Sequence, residues 1–282
     1  MSLNLCIVGQ PVAYSRSPML HGYWMAKHGL AGSYGREDVS PQDAPGFFAS
    51  YAARGYVGGN VTAPHKEAAF RAVAEADDTA RALGAVNTLW LEDGRLMGGN
   101  TDVYGFMANL DAGAAGWDKA DRPVLVLGAG GAARAIVYGL LQRGVGRLYL
   151  ANRTVEKAQA LSDLFGPKVV PIGLDAIAAP MGEAGVLVNT TSLGMKGQAS
   201  FDFDLSPLRA DAVVTDAVYV PLETPLLKAA RARDLATVDG LGMLLHQGVP
   251  GFARWFGVRP EVDAGLRTLI VEDLRAKGQL EA

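Results

Sequence analysis

The stretch "GGNVTAPHKEAAF", Gly58 to Phe70, raises the first chemical question. An apolar run stops at Thr62, Pro64 breaks it, and a helix is predicted to begin on Lys66. A lysine between a strand end and a helix start stands where open α/β sheets hold their ligands. The plain alternative is an exposed lysine, the usual state of that residue. A second stretch, "AYSRSPMLHGYW", places Ser15 and Ser17 just before Pro18, a favoured first-turn proline. Ser17 is therefore expected as an N-cap. Two hydroxyls at the positive end of a helix also suit a small carboxylate.

In "RPVLVLGAGGAARAIVYGLLQRGVGRLYLANRT" the apolar strand Val124 to Leu127 runs into Gly128-Ala129-Gly130-Gly131-Ala132-Ala133, and a helix follows. This is the dinucleotide fingerprint G-x-G-x-x-G/A in its required setting. Gly128 permits the tight turn, Gly130 lets the backbone approach a pyrophosphate, and Ala133 keeps helix and strand close. After the second strand, "RLYLA", come Asn152, Arg153 and Thr154, with Lys157 one helical turn later. NAD sites carry an acid here for the ribose hydroxyls, whereas an arginine accommodates a 2'-phosphate through paired hydrogen bonds. The nearest acid, Glu156, falls inside the next helix, so the expected cofactor is NADP.

These groups need elements to hold them. The chain has 282 residues, enough for two domains with separate cores. Strand-like and helical runs alternate: "LNLCIVG", a helix from Ser17, "SYGREDV", a helix through "FFASYAARG", "YVGGNVT" and a helix from His65. That order predicts a mainly parallel sheet with crossover helices. "VNTLWLEDGRLMGG" alternates around Asp93-Gly94, a hairpin signal, so the first sheet is expected to end in an antiparallel pair. After a helix near residues 101–112, the polar "GWDKADRP" reads as the junction to a second α/β unit of Rossmann type.

Composition excludes several classes. A net charge of -3 with 20% charged residues lacks the basic balance of a nucleic-acid binder. The single cysteine, Cys6, rules out an internal disulfide framework and fits a reducing cytoplasm, where it is expected as a small apolar core residue. The N-terminus starts as a strand with no basic leader, and the most apolar window is interrupted by small residues and Arg134, so no membrane span is expected. The four histidines, His21, His28, His65 and His246, are scattered. His21 and His28 are read as surface or packing residues of one helix, and no metal is expected. No G-x-S-x-G elbow is present.

Eight ordered stretches, "YSRSPMLH", "GGNVTAPHKEAAF", "GAVNTLW", "GGNTDVYGF", "GAGGAARA", "ANRT", "VYVPLETPLL" and "DGLGMLLHQ", make the chain resemble the shikimate dehydrogenase family over nearly its whole length. The resemblance implies NADPH-dependent reduction of 3-dehydroshikimate to shikimate, a small-molecule substrate, and a monomer or homodimer. It implies C-terminal helices that return to the first domain from about Gly240. Residues 1–104 and 240–282 would form the substrate domain, and 105–239 the Rossmann domain. It places Ser15, Ser17 and Tyr219 at the substrate carboxylate, and Thr62, Lys66, Asn87, Asp102 and Gln247 at the ring hydroxyls. Asn, Gln and Thr both donate and accept, as a polyol requires. For NADP it implies Gly128, Ala129, Gly130, Gly131, Ala132, Asn152, Arg153, Thr154, Lys157, Ala217 and Gly240. Ala217 stands where larger apolar side chains are common and offers backbone alone.

Hydride reduction of a ketone develops charge on the carbonyl oxygen, which Lys66 can meet with a proton or with positive charge. Asp102 beside it would keep an ammonium available against the effect of burial. Each residue also has a structural reading: Asn87 as a turn residue, Asp102 as a helix starter, Gln247 as an exposed helix position. Val103 departs from the family, which often has glycine there, and bears on the backbone beside Asp102. Two other functions compete. One is a quinate/shikimate dehydrogenase of broader specificity using NAD, against which the Ser-x-Ser pair and the missing strand-end acid both speak. The other is a non-catalytic NADP-binding regulator on the same fold, against which the presence of both Lys66 and Asp102 speaks.

Overall fold

The computed structural model describes residues 2–118 and 122–280. Of the junction "GWDKADRP", residues 119–121 lie outside the described residues. The chain divides into two compact units, one made of Met1–Asp102 and Gln247–Glu272, the other of Val103–His246 and Asp273–Ala282.

In the first unit, strands β1 (Leu3–Gly9), β2 (Gly32–Asp38), β3 (Gly58–Val61), β4 (Glu75–Ala76), β5 (Thr88–Glu92) and β6 (Arg95–Gly99) form a sheet in the order β2-β1-β3-β5-β6-β4. β1 runs parallel to both β2 and β3. The chain therefore leaves β1 and β3 at one edge, where the helices Ser17–Lys27 and Lys66–Ala72 begin. β5 is antiparallel to β3 and to β6, with Asn60 opposite Thr88 and Thr88 opposite Gly99. The start of β5 and the end of β6 thus return to that same edge, which is how Asn87 and Asp102 reach it.

The hairpin forms as expected, with φ of +50° at Asp93 and +74° at Gly94, values that an Asp-Gly pair tolerates. Two expectations need correction. The hairpin does not end the sheet, because β4 pairs in parallel outside β6; its two residues are too few to show a pattern. "FFASYAARG" is not one helix. The helix Ala44–Ala49 stops and a separate turn of 3-10 helix covers Ala52–Arg54. The Ser50 hydroxyl donates to the Gly46 carbonyl at 2.7 Å and accepts from Arg54 Nε at 2.9 Å, competing with the helical pattern.

The core of this unit joins Cys6, Val8, Phe47, Phe48, Tyr51, Val61 and Leu89. Burial pushes the Cys6 thiol up to about 12, so it is a packing residue and not a nucleophile. Of the C-terminal part of the chain, Gln247–Glu272 returns to this unit. Trp255 Nε1 donates to the Leu89 carbonyl at 2.9 Å, and Trp24 Nε1 donates to the Glu261 carbonyl at 2.9 Å. Asp263 precedes the helix Ala264–Ala276 and accepts from the Leu266 N–H at 2.8 Å, from the Tyr23 hydroxyl at 2.9 Å and from Lys27.

The second unit holds β7 (Val124–Leu127), β8 (Leu148–Ala151), β9 (Val169–Ile172), β10 (Val186–Asn189), β11 (Val213–Asp216) and β12 (Ala236–Val238) in the order β12-β11-β10-β7-β8-β9, every pair parallel. Strand order reverses between β7 and β10, the switch point at which such sheets bind ligands. β7 is buried on both faces: Val124 and Val126 join one core cluster, Leu125 and Leu127 another. That explains its unbroken apolar run. Val103 packs on the same side as Gly139, where a Cβ would come within 2.9 Å of its Cγ1. The side chain at 103 is thus accommodated by the missing one at 139. Among the described residues no helix is long and apolar enough to cross a membrane.

The Asp263 cap generates a stability prediction. Asp263→Ala removes an N-cap and should lower unfolding free energy by about 1 kcal/mol at neutral pH. Bonding to Lys27 and to the Leu266 N–H holds the Asp263 carboxyl at about 2, below the ordinary ~3.9 of an unfolded chain. Its contribution is therefore complete above the ordinary value and is lost as pH falls through the folded one. Urea midpoints of parent and variant should differ at pH 7 and converge between about pH 4 and pH 2; a constant gap across that range contradicts the assignment.

Candidate active site

Lys66 opens its helix and projects to the start of another. Its Nζ donates to Asp102 Oδ2 at 2.6 Å, and Asp102 is the first residue of the helix Asp102–Gly113. The other carboxylate oxygen accepts from Asn87 Nδ2 at 2.9 Å. Side-chain exposure is 32% for Lys66 and 18% for Asp102, so both are sheltered yet open to a ligand. Val103 does not disturb this arrangement, since Asp102 makes both bonds.

Asn87 is buried and its amide orientation follows from its partners. Oδ1 accepts from the Thr101 N–H at 2.8 Å and from the Thr88 hydroxyl at 2.9 Å, which leaves Nδ2 for Asp102. Asn87 is thus a fixed donor to the carboxylate as well as the link between the two chain segments. Behind it lies Asn60, whose Nδ2 donates to the Asn87 carbonyl at 3.1 Å and whose Oδ1 accepts from the Tyr34 hydroxyl at 2.5 Å. His21 Nε2 lies 3.2 Å from the same oxygen. Burial lowers His21 to about 3, so the ring is neutral at pH 7 and donates one N–H.

Sequence reasoning missed Asn60, Thr88 and Thr101 as members of this network. A usable signal existed: Asn60 is a polar residue inside the buried strand "GGNV", and a buried amide must find partners. His21 is a packing residue as expected, stacked on Tyr34 with centroids 4.4 Å apart. His28, read as part of the same helix, lies just past its end as the C-cap. Among the described residues no histidine, cysteine or acidic cluster could hold a metal.

The serine pair requires a correction. Ser17 is the first residue of its helix, not the cap; Arg16 is the cap and makes no side-chain capping bond. Ser15 Oγ instead accepts from the Ser17 N–H at 3.3 Å and donates to Ser17 Oγ at 3.3 Å. Pro18 accounts for this, because proline is tolerated through the first turn and not only directly after the cap. Arg36 holds the loop by donating to the Ser15 carbonyl at 2.7 Å. Thr62 and Gln247 are half-buried in the same unit. Tyr219 belongs to the second unit.

There the fingerprint turn has the geometry that its glycines suggest. Gly128 adopts φ of +99°, and a Cβ on it would lie 2.7 Å from Thr190 Oγ1. No Cβ on Gly130 or Gly131 would meet anything within 4 Å, so the outer side of the turn is open where the helix Gly131–Gln142 begins. Free N–H groups and the positive helix end favour a phosphate at such a place. Ala133 is fully buried, as close helix–strand packing requires. Asn152 Oδ1 accepts from the Ala129 N–H at 3.2 Å, and its Nδ2 donates to the Thr154 carbonyl at 2.8 Å. Asn152 thereby ties the glycine turn to the segment carrying Arg153, Thr154 and Lys157, all exposed. Glu156 is an exposed helix residue, as expected. Gly240 is required by close approach, since a Cβ would lie 2.5 Å from the Ala217 carbonyl oxygen.

One unit thus presents a lysine–carboxylate pair suited to proton transfer, the other a dinucleotide cradle flanked by cations. The chain is similar to known proteins along nearly its whole length. Residues 7–89 match the model described as shikimate dehydrogenase substrate binding domain, residues 113–195 that of shikimate / quinate 5-dehydrogenase, and residues 240–270 that of the shikimate 5'-dehydrogenase C-terminal domain. A shikimate dehydrogenase (NADP(+)) of Azorhizobium caulinodans is 66% identical over 279 residues, covering 99% of each chain. Quinate dehydrogenase from Corynebacterium glutamicum, solved with NAD, is similar with a TM-score of 0.89 at 35% identity, covering 96% of this chain and 99% of that one. Shikimate 5-dehydrogenase from Thermus thermophilus, solved with NADP(H) and shikimate, gives a TM-score of 0.85 at 35% identity over the same shares. On the glycine turn, the Lys66–Asp102–Asn87 cluster and a match along nearly the whole length, the chain belongs to the shikimate dehydrogenase family.

Proposed function

We propose that the chain interconverts 3-dehydroshikimate and shikimate with NADP(H), a step in the biosynthesis of aromatic amino acids through chorismate. The observation that carries this reading is the 2.6 Å contact of Lys66 Nζ with Asp102, itself held by Asn87. Bound NADPH supplies the hydride. As the ketone is reduced, Lys66 donates a proton to the carbonyl oxygen and so prevents an alkoxide from accumulating. Asp102 keeps the ammonium in place and accepts from a ring hydroxyl, while Thr62, Asn87 and Gln247 provide further donors and acceptors. Ser15, Ser17 and Tyr219 hold the substrate carboxylate.

NADP fits the residues present. The open glycine turn, Gly128 to Ala132, takes the pyrophosphate, and Arg153, Thr154 and Lys157 take the 2'-phosphate. Asn152 positions both segments, and the paired backbones of Ala217 and Gly240 complete the nucleotide side. On this reading residues 1–104 and 240–282 form the substrate-binding domain and 105–239 the NADP-binding Rossmann domain. Buried Cys6, without a second cysteine, suits a cytoplasmic enzyme. The deciding assay is oxidation of NADPH in the presence of 3-dehydroshikimate; faster turnover of quinate with NAD would overturn the proposal.

Two variants test the roles. Lys66→Ala should lower kcat by roughly 10²- to 10⁴-fold, the scale of a lost general acid, with NADPH binding retained; full turnover would remove Lys66 from the mechanism. Arg153→Ala should weaken NADPH by roughly ten- to hundredfold, the scale of a charged hydrogen bond, and leave NADH nearly unchanged. Equal losses for both cofactors would show that Arg153 does not read the 2'-phosphate.

A further inference from the structure

Asp216 is a buried carboxylate to which the proposed mechanism gives no task. It ends β11 beside Asn189, its register partner at the end of β10, and only 1% of it is exposed. Among the described residues no cation pairs with it; such burial is costly for a carboxylate, and desolvation raises Asp216 to about 6 against the opposing pull of its hydrogen bonds. Those bonds come from three residues. Oδ1 accepts from Asn189 Nδ2 at 2.9 Å and from the Val218 N–H at 3.0 Å. Oδ2 accepts from the Thr224 hydroxyl at 2.7 Å.

The segment from Ala217 to Thr224 therefore begins and ends on one carboxylate. Tyr219 directly follows the Val218 N–H that binds it. Thr224 is fixed in turn, since its oxygen also accepts from the Leu227 N–H at 3.3 Å and caps the helix Pro225–Arg231. On the other side, the Asn189 carbonyl accepts from the Ala217 N–H at 2.9 Å. Asn189 Oδ1 accepts from the Thr191 hydroxyl at 2.7 Å, and Thr191 and Thr190 crowd the Cβ position of Gly128. Asp216 and Asn189 thus join the loop of Ala217 and Tyr219 to the glycine turn. A carboxylate suits this place because it accepts on both oxygens, whereas an amide of the same shape must donate from one side.

We infer that Asp216 is a positioning residue: through Val218, Thr224 and Asn189 it sets the loop that presents Tyr219 to substrate and Ala217 to the cofactor. This rests on the reading of Tyr219 as a carboxylate ligand. The expected result is that Asp216→Asn and Thr224→Val each raise KM for shikimate and Kd for NADP+ by roughly three- to tenfold, the scale of one lost hydrogen bond. The change in kcat should be smaller, and Thr224→Ser should restore the parent values. Asp216→Asn keeps the shape and removes a buried charge, so it should remain folded, as melting temperature will show. A merely structural role predicts the opposite split: kcat falling with the folded fraction while KM and Kd stay put, and that result overturns the inference. Asp216→Asn should add nothing to KM in a Tyr219→Phe background; multiplying effects would mean that Asp216 does not act through Tyr219. If Tyr219→Phe alone leaves KM unchanged, the carboxylate reading fails. The positioning claim is then decided by NADP+ binding, which Asp216→Asn weakens if the loop is set by the carboxylate and leaves intact if it is not.

Discussion

The carboxylate of Asp102 is the point on which the polar cluster at this edge of the first unit depends. One oxygen takes the Lys66 ammonium and the other the Asn87 amide, so three chain segments converge on a single side chain. A lysine alone at a strand end would sample many rotamers. Held by a carboxylate at the start of a helix, it is confined to one region. Asn87 in turn is fixed because its own oxygen is occupied by Thr101 and Thr88. Orientation therefore spreads outward from Asp102 through Asn87, whose amide oxygen is already occupied.

The sheet makes this convergence possible. Parallel pairing of β1 with β3 puts two helix starts on one edge. The antiparallel hairpin β5–β6 returns the chain to the same edge. Had β5 paired in parallel with β3, its first residues would stand at the far end and Asn87 could not meet Lys66. The second unit achieves a comparable gathering by all-parallel pairing, with a reversal of strand order between β7 and β10. Its loops at that edge are held by buried polar residues, Asn189 and Asp216, that a purely apolar core would not need. Their desolvation is partly offset by hydrogen bonds that define loop positions instead of adding packing.

Legibility from sequence followed how local each feature is. The glycine turn, the Asp93-Gly94 hairpin, the exposed Arg153 and the start of the helix at Lys66 were readable because a few adjacent residues dictate the backbone there. Ser17 was misplaced by one position at its helix start, where Pro18 suits either arrangement. β4 was missed because two residues carry no period, and the break in "FFASYAARG" was missed because Ser50 acts through its side chain rather than through a pattern.

By itself, then, the sequence determined the two α/β units, the family through eight ordered motifs, and the identity of the groups that could move a proton or grip a phosphate. Only the tertiary structure decided which polar groups meet: Asn60 with Asn87, Asn189 with Asp216, and Asn87 as the donor that orients Asp102. The reason is physical. A buried amide or carboxylate takes its partners across strands, and those partners are set by strand order and register, which depend on contacts between residues far apart in the chain and leave no mark on local spacing.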